Sequence, residues 1–255
     1  MGGLASGAVG SPLDLITAAL RGDPVLDIAA THALLRAVAA GERAPALRVF
    51  VPGPTAAFGR LDVLRPGFRD AAAAARQLGL VPVVRPAGGH AAVYGPGAVV
   101  VEHVSAEADV TAGLQERFAD QSRRLRDALA GLGADARIGE LPSEYCAGRD
   151  SVNLGGRIKV AGIAQRAIRG GALTTAVVTV ENGPALRTAI AALYGALGLE
   201  VDPSAAGTVD EALPGIRAAD VAAAVVSAYA PTAAAPLDDA LLDRARGLAA
   251  RHHVT

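Results

Sequence analysis

Apolar and polar positions divide the chain into segments of two periods. Over Asp23–Glu42, Leu26, Ala29, Ala30, Ala33, Leu34 and Ala37 recur three and four apart, as on one helix face, and Asp23-Pro24 supplies a cap and a first-turn proline. Comparable patterns predict helices over Arg69–Gly79, Glu107–Gly133, Pro184–Leu197, Arg217–Tyr229 and Leu237–His252. In Glu107–Gly133, Leu114, Phe118, Leu125, Leu129 and Leu132 share one side, while Arg123, Arg124 and Arg126 form a solvated face or a dock for an acidic partner. Short apolar runs predict strands at Leu47–Pro52, Leu80–Val84, Ala98–Val104, Ala136–Ile138 and Ala172–Glu181. Asp150–Asn153 and Arg157–Ile168 flank Gly155-Gly156 and read as a hairpin. On an unbulged second strand, Lys159, Ala161, Ile163 and Gln165 face one way; Val160, Gly162, Ala164 and Arg166 face the other.

Composition narrows the class. A chain of 255 residues can bury a full core as one large domain or two small ones. With 51% hydrophobic residues, 3% aromatics and no Trp, that core is aliphatic. A net charge of -1 argues against nucleic acid or an anionic membrane as the main partner. A lone cysteine cannot close an internal disulfide, which fits a cytoplasmic location. Met1–Pro12 is rich in Gly, Ala and Ser and reads as a loose leader rather than a signal peptide, so residues 1–22 are expected to be flexible. No apolar run is long and pure enough to span a bilayer. No Walker A pattern is present, and Gly95–Gly97 lacks the strand–glycine–helix order of a dinucleotide fingerprint. His252 and His253 have no acidic or cysteine neighbours in sequence, so no metal site is predicted there.

The chemistry concentrates in Glu144–Gly171, EYCAGRDSVNLGGRIKVAGIAQRAIRGG. It holds the only cysteine, Cys146, and the only lysine, Lys159; the rest of the 24 basic residues are arginine. Lysine is a compact, re-aimable point charge, whereas arginine is a rigid fork. The bland alternatives are a small buried hydrophobe for Cys146 and a solvated strand residue for Lys159. A second stretch, VRPAGGHAAVYGPG from Val84 to Gly97, carries a Gly-Gly pair that permits close backbone approach to a ligand, or else forms an ordinary turn.

RIKVAGIAQR resembles the K-x-x-G-x-x-x-R signature of the superfamily of lipoate-protein ligases, biotin-protein ligases and octanoyltransferases. EYCAG is similar to the Y-C-P-G of its octanoyl amidotransferase branch, with Ala147 at the proline. Arg149-Asp150 is partly similar to the G-R-N-D of lipoate ligases. The turn from Arg85 through Gly88-Gly89 is similar to the family's R-x-x-G-G-x-x-V, which lies along the acyl chain there, and Phe58-Gly59-Arg60 is similar to its "lGr" segment. The resemblance implies an α+β fold, a biotin/lipoate protein ligase-like catalytic domain with a central mixed β-sheet flanked by helices, mainly on one side. It implies a catalytic domain over 23–200 and a helical C-terminal extension over 201–255 packed on it.

It also implies roles. Cys146 would carry the acyl group and Lys159 would contact the acyl carbonyl, lining the pocket beside the Arg85–Gly89 turn. Arg85, Gly88, Gly89, His90, Gly162 and Gln165 would bind substrate; His90 stands where the family commonly has glycine or a small residue, and is alternatively structural. A thiol must ionise to act, and Arg149, Lys159 or a loop N–H could promote that. Serine would be a poor substitute, since no His–Asp pair is evident to activate it. The implied reaction moves an octanoyl or lipoyl group through a Cys146 thioester to a lysine of a lipoyl-carrier domain. Implied partners are the glycine cleavage H protein, E2 subunits of 2-oxoacid dehydrogenases, or acyl carrier protein. No cofactor is required on that reading. One alternative is an ATP- and Mg-dependent lipoate-protein ligase using Lys159 at the acyl-adenylate. The other is a non-catalytic binder of lipoyl-carrier domains.

Overall fold

A computed structural model describes residues 12–109 and 111–254. The strands are β1 (Asp14–Ile16), β2 (Ala46–Phe50), β3 (Thr55–Phe58), β4 (Val81–Val84), β5 (Ala92–Tyr94), β6 (Ala98–Glu107), β7 (Ala136–Ile138), β8 (Val152–Leu154), β9 (Ile158–Ile168), β10 (Gly170–Thr179) and β11 (Ala233–Ala234). The helices are α1 (Pro24–Ala39), α2 (Arg60–Val63), α3 (Phe68–Gln77), α4 (Leu114–Gly131), α5 (Gly183–Leu197), α6 (Ala218–Tyr229) and α7 (Asp239–Leu248). An eight-stranded mixed sheet runs β11-β1-β2-β6-β10-β9-β8-β7, and a three-stranded sheet runs β4-β3-β5. The fold is α+β, as expected.

The long antiparallel pair β6–β10 is the centre of the large sheet, in register from Gly170↔Glu107 to Thr179↔Ala98. That pairing holds residues through Glu107 in a strand, so α4 begins at Leu114, later than the apolar pattern predicts. Helix α1 starts as the sequence suggests: the Asp23 carboxylate accepts the Leu26 N–H at 2.9 Å, and Pro24 occupies the first turn. The β8–β9 hairpin turns on Gly155 and Gly156, both left-handed at φ 60 and 71, as a type I′ turn requires.

The strands are apolar on both faces. Leu47, Val49, Val99, Val101, Ala176 and Val178 pack under α4 and α6. Their alternates Ala46, Val104 and Leu173 pack under α1 and α7. Phe50, Ala98 and Val100 on that second face meet Ala57, Val83 and Ala92 of the small sheet. Helices therefore cover both faces of the large sheet rather than mainly one.

Of the leader expected over 1–22, residues 1–11 lie outside the described residues. Asp14–Ile16 is ordered as β1, pairing with Ala46–Arg48 on one side and Ala233–Ala234 on the other. His252, near the C-terminal end of the described residues, is buried. Its Nδ1 lies 2.7 Å from the Val84 carbonyl and its Nε2 lies 3.1 Å from Nδ1 of His32. Burial, with His252 beside it, lowers the His32 pKa to about 4. Arg123 and Arg124 both meet Asp120, and Arg124 also stacks over Tyr229, so this face is paired with groups of its own chain. No helix among the described residues is long and apolar enough to cross a membrane.

Candidate active site

The site lies on the second face of the large sheet, where β9 and β10 meet the β4–β5 turn and the loop from Leu141 to Ser151. A β-bulge decides which residues of β9 look into it. Val152 pairs with Ala161 but Asn153 pairs with Lys159, so β9 carries one extra residue there. Ala161 and Ile163 consequently turn toward the α4 core, and Lys159 joins Gly162 and Ala164 on the site face. The alternation expected for an unbulged strand is corrected at this point.

Lys159 is wholly buried. Its ammonium donates to the Glu144 carboxylate, the Tyr145 carbonyl and the Cys146 carbonyl, each at 2.9 Å. All three N–H donors are thus used. Two successive carbonyls converge on one nitrogen, and the chain meets that demand by placing Cys146 at φ 44, in the left-handed region that non-glycine residues seldom adopt. Ser143 shares that region at φ 55. Glu144 braces the same loop: its carboxylate accepts from the Leu141 N–H, the Gly148 N–H and the Ser151 hydroxyl, at 3.0, 3.1 and 2.6 Å. The Lys159 ammonium also sits 4.8 Å from the Tyr145 ring centre. A Cβ on Gly162 would come within 3.3 Å of Lys159 Cε, so the close approach that glycine permits here is to the lysine itself.

The opposite wall is the β4–β5 turn. The Gly88 N–H donates to the Gln165 carbonyl at 3.2 Å, joining the turn to β9. Gln165 reaches this region through its main chain; its side chain bonds Arg117 and the Leu114 carbonyl at the start of α4. Gly89 has φ 85, and a Cβ there would lie 2.7 Å from the Cys146 sulfur. Only glycine fits that combination of backbone and space. Arg85 passes beneath the turn and donates to the His90 carbonyl at 2.8 Å. The His90 N–H donates to Cys146 Sγ at 3.2 Å, and Arg85 Nη2 lies 4.0 Å from the same sulfur. The sulfur thus faces one main-chain donor and one guanidinium.

A narrow cavity of about 30 Å³ lies behind the sulfur, walled by Arg85, Tyr145, Cys146, Gly162, Ala164, Thr175 and Val177. Lys159 stands behind Gly162 rather than on that wall. A wider cleft of about 400 Å³ opens outside Cys146, with Gly88, Gly89, Phe118, Arg149 and Gln165 along it. Beyond Arg85, Thr175 and Val177, a second narrow cavity of about 30 Å³ reaches Asp27, Thr31 and Glu102. Cys146, Lys159, Arg85, Gly88, Gly89, His90, Gly162 and the Gln165 main chain are therefore brought together.

Two participants were not anticipated. Glu144, adjacent to the cysteine motif, is the counter-ion of Lys159; a lone lysine with an acid in the same motif was the available signal. Asp62, fully buried, bonds Nδ1 of His90 at 2.7 Å and accepts the Gly59 N–H at 2.9 Å. No His–Asp pair is evident in the sequence; the structure forms this one from separate segments, and it meets Cys146 only through the His90 main-chain N–H. Nothing local announces a pair made by residues on α2 and on the β4–β5 turn.

Comparison with known proteins places this geometry. In sequence, the chain is 30% identical over 176 residues to an octanoyl-[GcvH]:protein N-octanoyltransferase of Geobacillus kaustophilus (strain HTA426), covering 69% of the chain and 62% of that relative. It is 31% identical over 139 residues to the enzyme of the same name from Kyrpidia tusciae (strain DSM 2912 / NBRC 15312 / T2), covering 54% of the chain and 47% of that relative. The chain thus spans less than two thirds of the length of either. In structure it resembles a lipoate-protein ligase A bound with ATP, with a TM-score of 0.72, 19% identity and coverage of 94% of this chain and 95% of that one. It also resembles a bi-partite lipoate protein ligase from Thermoplasma acidophilum, with a TM-score of 0.73, 18% identity and coverage of 94% and 93%. The family model for the lipoyl protein ligase A/B catalytic domain matches residues 23–230, and the chain belongs to that family.

Proposed function

We propose that the chain is an octanoyltransferase of protein lipoylation, moving the acyl group through a thioester on Cys146 to a lysine of a lipoyl-carrier domain. One observation carries the reading: a free thiol, held in a left-handed loop by a buried lysine, sits against the Gly-Gly turn with a main-chain N–H on its sulfur. The names of the sequence relatives favour octanoyl transfer and point to GcvH as donor or acceptor. E2 subunits and acyl carrier protein are further candidates on the same chemistry.

Attack of Cys146 Sγ on the donor carbonyl forms the S–C bond and releases the donor. Attack by the acceptor amine then breaks it, so amide exchange proceeds without a nucleotide. Lys159 serves this cycle by fixing the Tyr145 and Cys146 carbonyls, which sets the direction of the sulfur. The Arg85–His90 turn, with Gly162, borders the acyl path, and the outer cleft admits the carrier.

Incubation with an octanoylated H protein and no ATP should give a hydroxylamine-labile octanoyl adduct on Cys146 by intact mass. Cys146→Ser should abolish turnover while leaving the thermal midpoint within a few degrees, because a sulfur-to-oxygen change in this loop opens no cavity. A Cys146→Ser protein that still modifies the acceptor, and only with ATP, would establish the ligase instead.

A further inference from the structure

Many arginines of this chain are satisfied from within it: Arg137 by Asp135, Arg187 by Glu211, Arg217 by Glu181 and Arg244 by Glu42. Four exposed ones near the site differ. Among the described residues, the side chains of Arg36, Arg60, Arg166 and Arg251 meet no carboxylate and no hydrogen-bond acceptor. We propose that these four arginines, with Leu61 and Leu64, form the surface on which a carrier domain docks through an acidic face, presenting its lysine to the cleft beside Cys146. This rests on the octanoyl-transfer reading above.

The surface adjoins the thiol's own cleft. A recess of about 220 Å³ on the outer side of the β4–β5 turn is lined by Arg60, Leu61, Pro86, Gly88, Gly89 and Arg166, with Gln165 and Ala167. Gly88, Gly89 and Gln165 also line the cleft outside Cys146, so recess and cleft share one rim. Positive charge continues from Arg166: together with Arg36 and Arg251 it acts on half-buried His32, each of the three opposing its protonation. The band therefore runs from α2 across β9 to the last turn of α1 and the turn after α7. Beside it, Leu61 and Leu64 are 65% and 80% exposed, the two most open large apolar side chains among the described residues.

The chemistry of the band selects its partner. Its four arginines stand exposed on four separate elements, so they form a face and not an enclosed site for a small anion. The chain as a whole has a net charge of -1, which makes the band a local concentration of charge and not a general basicity. Guanidinium forks match carboxylates two bonds at a time, so the complementary surface is a set of Asp and Glu side chains flanking the acyl-bearing lysine. Such charge steers the encounter and fixes the register of the partner. Open leucines next to arginines have the makeup of a protein–protein contact, which gives the docked domain an apolar footing beside its ion pairs.

Two paired charge reversals test it, Arg60→Glu with Arg166→Glu and Arg36→Glu with Arg251→Glu. Binding of H protein, measured by titration calorimetry at about 50 mM salt, should weaken at least about tenfold in each pair, and wild-type binding should weaken steeply as salt is raised. An H protein whose acids flanking the lysine are changed to Asn and Gln should lose a comparable share of its affinity for the wild-type chain. Leu64→Ser should give a smaller loss that salt does not alter. A small neutral thioester, S-octanoyl-N-acetylcysteamine, reads Cys146 without any carrier: its acyl group moves to the thiol, N-acetylcysteamine leaves, and the rate by intact mass should stay within about twofold of wild type in both pairs. Unaltered H-protein binding in both pairs overturns the docking surface, whatever Cys146 does. A loss of acylation from the small thioester as large as that from octanoylated H protein overturns it too, because the arginines then act on the chemistry. A short single-stranded RNA that binds more tightly than H protein, and loses that binding in the same variants, would make this a nucleic-acid face instead. If neither donor leaves an octanoyl group on Cys146 while H-protein binding still falls in the variants, the docking surface stands and the acyl-transfer reading fails.

Discussion

Two fully buried cations lie on the same face of the large sheet, Lys159 on β9 and Arg48 on β2, and they are used differently. All hydrogen-bond partners of the Lys159 ammonium belong to one loop, and two of the three are main-chain carbonyls. The partners of Arg48 are spread over the fold: the Asp27 carboxylate and carbonyl and the Thr31 hydroxyl on α1, Glu102 on β6, and the Ala18 carbonyl before α1. Arg48 also lies 3.9 Å over the Phe50 ring. A wide fork suits several partners on separate elements; a compact ammonium suits carbonyls converging on one point. The first arrangement staples a helix to the sheet. The second shapes a single stretch of chain around a thiol.

The contrast predicts that function and stability separate. Lys159→Met should remove the largest share of activity, on the order of 10²-fold or more, because the Cys146 backbone loses what holds it left-handed and Glu144 is left buried and unpaired. Lys159→Arg should also lose most activity despite its charge, since the fork cannot meet Glu144 and two adjacent carbonyls at once. Steady-state octanoyl transfer checks both. Arg48→Met should do the opposite: about 3–5 kcal/mol lost in urea unfolding, with the turnover of folded molecules within about twofold of wild type. Equal activity losses in the two positions would dissolve the distinction.

A smaller effect sharpens it. Burial pushes the Glu102 carboxyl from 4.5 up to about 7, against the opposing pull of Arg48 and the Thr31 hydroxyl. The folded state therefore binds more protons than the unfolded chain between those values, so this group makes stability fall as pH rises through that window and level off above it. Glu102→Gln, neutral throughout, should flatten that part of the curve, seen in urea midpoints measured from about pH 4.5 to 8. A curve with unchanged slope would show that Glu102 is ionised in the folded protein across the window.

Much of this was legible in the chain. The α1 cap, the Gly155-Gly156 hairpin and the β10 run are local signals, and local signals survive folding. The meeting of the Arg85–Gly89 turn with Cys146 and Lys159 came from motif likeness, which brings distant segments together where periodicity cannot. What was missed is non-local or a matter of one residue. β1 and β11 are short, and they exist because Asp14 pairs with Ala46 on one side and Ala233 on the other. The bulge beside Lys159 inverts a two-residue alternation, and no pattern of apolar positions registers a single extra residue. The Asp62–His90 and His32–His252 pairs join residues on separate elements, so neither has a signature at any fixed spacing.

The scarcity of lysine has one more consequence. A protein that holds an activated acyl group on an open thioester exposes its own surface to that group at high effective concentration. Amines are the natural targets, and guanidinium groups, permanently protonated, are not nucleophiles. Here the single lysine side chain is sealed beneath the loop, and the rim of the cleft carries arginine, such as Arg149 with 67% of its side chain exposed. A thioester on Cys146 would therefore meet no exposed lysine amine of its own chain. Arg149→Lys would supply the missing acceptor, and its signature would be a hydroxylamine-resistant octanoyl group on the enzyme itself, accumulating when no carrier is present to discharge the thioester.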